Sequence, residues 1–348
     1  MTTYLRPLAL LYGPDAQAAI TAGLAAPLAG RADIAFTKAE WIERRSKTIT
    51  RRIVGLDEAR SHPHFTAITA ARPNFGPLAL HTTHIMGIVN VTPDSFSDGG
   101  INAQTEAAIT AARQMASDGA AILDIGGEST RPGATEISIT EESTRILPVI
   151  KALAASHLVS VDTRKSSLMA EALSAGASFI NDVSALRFDP ASAATVAKAK
   201  APIILMHAQG DPRTMQLAPK YDDVVLDVFD QLEALILNAE AKGIARTRII
   251  IDPGIGFGKS FAQNLVLLQH LSLFHGLGVG LLVGVSRKGF IGAITDEKTA
   301  SRRLGGSIGG AMAAALQGAQ ILRVHDVKET LTALQVLGAT LNPASVSI

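Results

Sequence analysis

The most regular feature of the sequence is a repeat that begins at residue 84. Short aliphatic runs alternate with glycine-rich polar segments, and amphipathic stretches lie between them, for example at residues 105–117, 141–154 and 222–242. A strand followed by a helix, repeated many times, indicates a parallel sheet covered by helices. The pattern predicts eight strands, at residues 84–90, 120–126, 158–162, 178–182, 202–207, 248–252, 280–285 and 320–325.

Eight strand–helix units in about 265 residues favour a closed barrel, since such barrels are typically about 250 residues long. A doubly wound open sheet is the alternative. That architecture has fewer strands and a glycine-rich fingerprint after its first strand, which this sequence lacks. We therefore expect an α/β fold, a (β/α)8 TIM barrel over residues 81–348 with a short N-terminal extension over residues 1–80.

The first 80 residues do not continue the repeat. Their pattern predicts a strand at residues 7–12, an alanine-rich helix at residues 16–28, and a second strand or helix at residues 33–42. A basic cluster follows, for which an RNA or anion site is one interpretation and a solvated face the better one. The sequence gives this extension no chemistry. The cluster consists of Arg44, Arg45, Lys47, Arg51 and Arg52.

Composition agrees with this architecture and narrows the class of protein. Hydrophobic residues make up 47% of the chain but aromatic residues only 4%, so aliphatic side chains must fill the core, as is typical of parallel strands under helices. Lys and Arg number 32 against 31 Asp and Glu, a balance that favours neither nucleic acid nor a membrane surface as a partner. Cysteine is absent, which excludes disulfides and thiolate chemistry. We expect a soluble cytoplasmic protein.

Polar residues collect where the predicted strands end. In a (β/α)8 barrel, the carboxyl ends of the strands carry the active site. Alone, each polar residue has a simpler interpretation: an Asp after a strand is commonly a helix cap, and His207 is more simply a satisfied core histidine than a base. Together they would bury many polar groups at a free-energy cost unless a ligand or a network satisfied them. The strand-end residues are Asn90, Asp124, Asp162, Asn181, Asp182, Met206, His207, Asp252, Ser286, Lys288, Arg323 and His325.

The strand-end residues fall into two chemical groups. Arg131, Arg323 and His325 suit the oxygens of a phosphate, and Asn90 on the neighbouring strand suits Mg²⁺, which prefers hard oxygen ligands. Asp162, Asn181, Asp252 and Lys288 on the opposite wall suit a flat nitrogen heterocycle with several N–H donors. Asp124 and Asp182 are assigned no binding role, since a structural role is equally open for them. The site should therefore hold a heterocycle with a phosphate or diphosphate tail.

These segments together resemble the dihydropteroate synthases of folate biosynthesis. Each motif alone is modest, but all of them occur in order and at barrel spacing, over about residues 84–330. Two departures, Ala208 and Gly289, stand where members often have Met and Ser. The matching stretches are residues 85–100, 126–133, 161–163, 179–183, 252–259, 286–288 and 323–327.

The resemblance implies a role for each matching residue. Asn90 resembles the Mg²⁺ ligand, and Arg131, Asp162 and Lys288 resemble the catalytic residues. Arg131, Arg323 and His325 resemble a diphosphate cradle, and Phe257 and Ser286 resemble part of a p-aminobenzoate pocket. The implied substrate-binding set is Thr130, Asp162, Asn181, Met206, Asp252, Phe257, Ser286, Lys288, Arg323, Val324 and His325.

The resemblance also implies a reaction, in which p-aminobenzoate displaces diphosphate from (7,8-dihydropterin-6-yl)methyl diphosphate to give 7,8-dihydropteroate. Such an enzyme is a transferase, a homodimer and a sulfonamide target. Two alternatives stay open. One is a pterin-binding methyltransferase barrel, which would not need Arg131, Arg323 and His325. The other is a non-catalytic pterin-binding relative, which we would expect to have lost Arg131, Asp162 or Lys288.

Overall fold

The computed structural model describes residues 1–92, 100–129, 136–210 and 219–345. Within these ranges the chain forms a closed parallel barrel and, before it, a small antiparallel sheet. No helix in the described residues is long and apolar enough to cross a membrane.

The N-terminal residues form a sheet with short helices at its edges. The long strand β3 pairs antiparallel with β1 on one side and with β2 and β4 on the other. The predicted strand at 7–12 is the second half of β1, and the segment 33–42 is a strand rather than a helix. The elements are β1 (Thr2–Tyr12), α1 (Gly13–Thr21), β2 (Ala26–Pro27), β3 (Ile34–Arg45), β4 (Thr48–Gly55), α2 (Leu56–Ala59) and α3 (Phe65–Thr69).

The alanine-rich helix is shorter than the sequence predicts. It ends at Thr21, because the chain turns at Gly23 with a positive φ of 72° and the amides of Leu24 and Ala25 both donate to the carbonyl of Ala19. Ala26 then enters β2. The strand β4 had no counterpart in the sequence prediction, since its residues are mostly exposed and polar.

The barrel strands are those that the sequence predicts, although six of them start one or two residues later than predicted and β9, β11 and β12 end one or two residues earlier. They pair in chain order and the last strand closes on the first. The expected (β/α)8 fold is therefore confirmed. The strands are β5 (His84–Asn90), β6 (Ile122–Gly126), β7 (Val159–Asp162), β8 (Phe179–Asp182), β9 (Ile203–Met206), β10 (Ile249–Asp252), β11 (Gly280–Val283) and β12 (Ile321–Val324).

Helices separate the strands and cover the barrel. They are α4 (Gly100–Ser117), α5 (Ile139–Leu153), α6 (Ser166–Ser174), α7 (Ser192–Ala199), α8 (Val224–Ala241), α9 (Phe261–Gln269), α10 (Gly289–Thr295), α11 (Leu304–Leu316) and α12 (Val327–Leu341), with 3-10 turns at Arg246–Arg248, Leu271–Leu277, Ala300–Arg302 and Pro343–Ser345. α8 begins and ends within two residues of the prediction, whereas α4 ends as predicted but begins five residues earlier, at Gly100.

Successive residues of each strand face opposite sides of the barrel wall. Outward residues such as Leu123 and Ile180 pack with the helices, whereas inward residues such as Ile122 and Phe179 form a separate apolar layer at the amino ends of the strands. The ring of Phe75 stacks on Phe179 with centroids 4.9 Å apart, so residues just before β5 close this end of the barrel.

The basic cluster of the extension is partly buried against the barrel. Arg44 is partly buried and pairs with Asp227 of α8, and Arg51 pairs with Asp223 just before that helix. Arg45, Lys47, Arg51 and Arg52 are exposed, which agrees with a solvated face, and the RNA or anion interpretation stays a prediction.

Candidate active site

The inward side chains of the barrel strands change from apolar to polar or charged toward the carboxyl ends. Below lies the apolar layer, and one step further along the strands stand Asp124 on β6, Asn181 on β8, Asp252 on β10 and Arg323 on β12. The two-residue period of each strand places these side chains on the same inner face. The candidate site therefore rests directly on the apolar layer.

Arg323 joins the two groups of residues that the sequence analysis kept separate. Its Nε donates to Asp124 Oδ2 at 2.6 Å and its Nη2 donates to Asp162 Oδ2 at 2.7 Å. Asn181 Nδ2 donates to the same Asp124 oxygen at 3.0 Å. The guanidinium thus lies between two carboxylates, so Arg323 is not part of a separate group of cationic residues.

The carboxylates in this cluster are shifted in their acid–base behaviour. Burial, together with the nearby charge of Asp124, raises the pKa of Asp162 to about 7, against the lowering effect of Arg323. Asp124 is fully buried, and its Oδ1 has no hydrogen-bond partner among the described residues. A buried acceptor oxygen without a donor is costly, so this position suits an N–H group of a ligand.

Lys288 and Asp252 form the second charged part of the site. The Lys288 ammonium donates to the carbonyl of Ile255 and lies 4.6 Å from the centroid of the Phe257 ring. Burial lowers the pKa of Lys288 to about 8, although Asp252 acts in the opposite direction. Burial likewise raises the pKa of Asp252. Both groups lie where a ligand would meet a carboxylate and an ammonium together.

Residues 253–259, which we call the glycine loop, lead from Asp252 to Lys259. A side chain at Gly254 would meet the backbone oxygen of His207 at 1.8 Å, and φ there is 67°, so only glycine fits. The buried Lys259 ammonium donates to the carbonyls of Gly254 and Phe257 at 2.8 and 2.9 Å. It also lies 2.9 Å from His207 Nδ1. The loop is therefore held from inside by one lysine.

The turn after β11 aims two site residues inward. Arg287 has a φ of 60°, a conformation that non-glycine residues rarely adopt. Its amide donates to Ser307 Oγ, and its side chain pairs with Asp326. Ser286 Oγ meets His325 Nδ1 at 3.0 Å. This strained turn fixes Ser286 and Lys288 on either side of Arg287.

Comparisons with known proteins decide the family. The family model described as "Pterin binding enzyme" matches residues 86–325. The dihydropteroate synthase of Escherichia coli K12 is 48% identical over 267 residues, which is 76% of this chain and 94% of that protein. The chain belongs to the dihydropteroate synthase family.

Two solved structures of the family support this assignment. The Xanthomonas albilineans dihydropteroate synthase with 4-aminobenzoic acid is 48% identical, with a TM-score of 0.72, and the match covers 76% of this chain and 95% of that one. The X. albilineans enzyme in complex with 7,8-dihydropteroate is 45% identical with a TM-score of 0.70. The family model begins at residue 86, so it matches the barrel and leaves the N-terminal sheet outside.

Most of the expected site residues come together in this family barrel, but Val324 requires a correction. Its side chain is 1% exposed and packs outward with the helices, because it alternates with the inward Arg323 and His325. Only its backbone can face a ligand. Met206, by contrast, lies outside that outer cluster and is 3% exposed, as expected for an inward residue.

Three expected residues have less structural support. Asn90 ends β5 and is half-buried at the carboxyl end of the barrel. Thr130 and Arg131 lie outside the described residues. No group of three His, Cys, Asp or Glu side chains in the described part of the chain could hold a metal ion.

Sequence reasoning gave no role to two groups that the structure makes central. Asp124 was left as a possible structural residue, yet it binds both Arg323 and Asn181. A polar residue at an inward position of an otherwise apolar strand was the available signal. The contact between Lys259 and His207 joins two loops, and no sequence pattern predicts it.

Proposed function

We propose that this barrel binds the dihydropterin diphosphate and p-aminobenzoate at the carboxyl ends of β5–β12 and joins them into 7,8-dihydropteroate, releasing diphosphate. The observation that carries the proposal is the inward cluster of Asp124, Asp162, Asn181 and Asp252 beside two partly buried cations, Arg323 and Lys288. Such a set offers acceptors to the N–H groups of a pterin and cations to its carbonyl and anionic tail.

Each part of the pterin has a suitable partner in the cluster. Asp252 and Asn181 offer hydrogen-bond acceptors directly above the apolar layer, and Lys288 offers an ammonium beside them. Met206 offers a polarizable side chain for the face of the flat ring. Because Asp124 Oδ1 has no donor among the described residues, a ring N–H placed there would remove an existing cost.

The departing diphosphate needs positive charge at the mouth of the site. We assign this role to Arg131, Arg323 and His325, with Asn90 as the protein ligand of Mg²⁺. The donor set fits a magnesium ion, since a single amide oxygen leaves most ligand positions to water and diphosphate. Bound there, Mg²⁺ would stabilise the negative charge that develops as the C–O bond breaks.

The remaining step is attack by the aryl amine on the pterin methylene carbon. Asp162, when ionised, stabilises positive charge that the pterin acquires as diphosphate leaves. p-Aminobenzoate has a weakly basic amine, so the attack needs no strong general base. This agrees with a cluster rich in binding groups, in which the buried His207 is held between Gln231 and Lys259 and takes no part.

A turnover assay tests the proposal. The protein is mixed with both substrates and Mg²⁺, and diphosphate release and 7,8-dihydropteroate formation are followed together. We expect one diphosphate per product, and no product when Mg²⁺ is chelated. Methyl transfer to or from a folate, or pterin binding without turnover, would contradict it.

We further propose that the protein is a homodimer, as the family resemblance implies. Exposed apolar side chains on α9 and α10 support this, namely Phe261, Leu265, Val266 and Ile294. Light scattering after size exclusion measures the mass directly, and a monomer at micromolar concentration would contradict the proposal.

A further inference from the structure

Three polar side chains of the N-terminal sheet contact the barrel helix α8. Tyr4 donates to the Asp230 carboxylate at 2.8 Å, Arg44 pairs with Asp227 at 2.6 Å, and Arg51 pairs with Asp223 at 2.6 Å. Arg44 also lies 3.6 Å from Asp230 and 3.8 Å from Asp222. We call Tyr4, Arg44 and Arg51 the clamp.

The clamp is partly withdrawn from water, so its charges are only partly screened. Tyr4 is fully buried, and the side chains of Arg44 and Asp227 are 18% and 16% exposed. The hydrogen bond to Asp227 raises the pKa of Arg44, which therefore stays charged. Ion pairs in such surroundings restrict their partners more than exposed pairs do.

Two of the acidic residues that contact the clamp also hold the backbone at the start of α8. Asp227 Oδ2 accepts the amide of Asp222 at 2.8 Å, and Asp223 Oδ1 caps the helix by accepting the amides of Val225 and Leu226. Asp223 and Asp227 thus each use one oxygen for the clamp and the other for the backbone. These hydrogen bonds fix the direction in which the chain runs from Tyr221 into α8.

Tyr221 carries the connection to the glycine loop. Its hydroxyl donates to the carbonyl of Gly258 at 2.8 Å. A second connection starts one residue after Asp230, where Gln231 Oε1 lies 2.9 Å from His207 Nε2 and His207 Nδ1 lies 2.9 Å from Lys259. Both connections end on the loop that bears Phe257.

We propose that the clamp positions the glycine loop through α8, so that the N-terminal sheet sets the placement of Phe257 and of the Ile255 carbonyl that receives Lys288. The clamp residues are positioning residues, since they act only through Asp223, Asp227 and Asp230. The choice of substrates for the assay rests on the proposed function, but the placement of the loop does not.

The chain offers a matched control for a purely structural role. Tyr12, on the same strand as Tyr4, donates to the carbonyl of Leu316 at 2.9 Å and so ties the same sheet to α11 rather than to α8. Loss of either hydroxyl removes one bond between sheet and barrel. Only the loss of a contact to α8 is expected to change the position of the glycine loop.

The first test is hydrogen–deuterium exchange of the full-length protein. In the Arg44→Gln variant, the amides of Gly254, Gly256 and Phe257 should exchange about three- to tenfold faster, because local opening of the loop becomes easier. The Tyr12→Phe variant should leave them unchanged. Unaltered exchange in Arg44→Gln, or equal acceleration in Tyr12→Phe, would overturn the proposal.

The second test uses steady-state kinetics. Arg44→Gln should raise KM for the pterin diphosphate about three- to tenfold with kcat within about twofold, as expected when binding geometry changes but the chemistry does not. Arg44→Lys should recover part of the loss. Tyr221→Phe should cause a similar rise, and the double variant should show less than the product of the two effects, because both changes break one path.

The two tests separate the possible failures. A wild-type protein without turnover would refute the proposed function while the exchange experiment still decides the role of the clamp. Fully multiplicative effects of Arg44→Gln and Tyr221→Phe on KM would refute the clamp while leaving the function intact.

Discussion

The two ends of the barrel are built on the same eight strands but differ in how they treat buried groups. At the amino ends, inward side chains are apolar and are covered by Phe75, Leu78 and Leu80. At the carboxyl ends, inward side chains include Asp124, Asp252 and Arg323. The amino end is an apolar core, and the carboxyl end keeps charges that a purely structural core would exclude.

The difference shows that the carboxyl end of the barrel holds charged groups at a cost to the free energy of folding. Burial raises the pKa of Asp162 and Asp252 and lowers the pKa of Lys288, so each charge is less stable in the site than in water. Shifts of this kind gather where a ligand, not the protein, completes the environment. Substitutions at the two ends should therefore separate stability from activity.

The largest effect is expected from Arg323→Met. Removal of the guanidinium leaves Asp124 and Asp162 close together without their cation. Loss of one partner of a buried pair typically costs about 3–5 kcal/mol. We expect loss of turnover and a large fall in the free energy of unfolding, measured by urea denaturation at pH 8.

The pH dependence of this variant provides its control. Without Arg323, the pKa of Asp162 in the folded state rises further above its unfolded value, because the guanidinium that lowers it is gone. Folding then binds protons, so the stability of the variant increases as pH falls. The deficit relative to wild type should be smaller at pH 5.5 than at pH 8, and an equal deficit at both would show that the ionisation of Asp162 does not depend on Arg323.

Phe75→Ala tests the apolar end. It removes a buried ring that stacks on Phe179, and such truncations cost about 3–5 kcal/mol. Because this layer lies below the site, kcat/KM at 25 °C should stay within about twofold of wild type. A stability loss of this size together with a loss of catalysis would mean that the two ends are not independent.

The sequence predicts the barrel well because its signal is local and repeated. Each strand is a short aliphatic run bounded by glycine and polar residues, so residues 84–90 or 248–252 can be assigned without knowledge of their neighbours. The site follows from the rule that strands end at one rim. Asp162, Asn181 and Asp252 are therefore found by position alone.

The features that the sequence does not predict depend on contacts between distant residues. The alternation along β12 turns Val324 outward, which a motif match cannot reveal. Arg323 meets Asp124 across 199 positions of sequence, and Arg44 meets Asp227 across 183. β4 is mostly exposed and pairs with β3, so it lacks an apolar pattern.

Asp252→Asn should have a smaller effect, confined to binding. The change keeps the size of the side chain but removes a charged acceptor, which is worth about 1.5–3 kcal/mol. Asp252 Oδ1 also accepts the Gly254 amide at 2.7 Å, a bond that the Asn oxygen can keep. Calorimetry should show weaker pterin binding and unchanged diphosphate binding. Unchanged pterin affinity would remove Asp252 from the site.

The smallest effect is expected in the pH dependence of wild-type protein and of Lys288→Arg. Lys288, with a pKa of about 8, loses its charge above that pH, and Asp162, with a pKa of about 7, loses its charge below. If both charged forms are required, log kcat/KM falls on each side of a narrow optimum between pH 7 and 8. Arg at position 288 stays protonated, so the basic limb should move upward while the acid limb stays.

Stability should change in the opposite direction over the same range, which separates this explanation from simple unfolding. Between pH 8 and 10.5 the unfolded chain holds the Lys288 proton and the folded chain does not, so the stability contributed by this group rises with pH, by at most about 1.4 kcal/mol per unit. The Lys288→Met variant lacks this term. A wild-type protein that grows more stable than Lys288→Met as it loses activity would show that the ammonium is kept for the ligand rather than for the fold. Parallel loss of activity and stability would contradict that view.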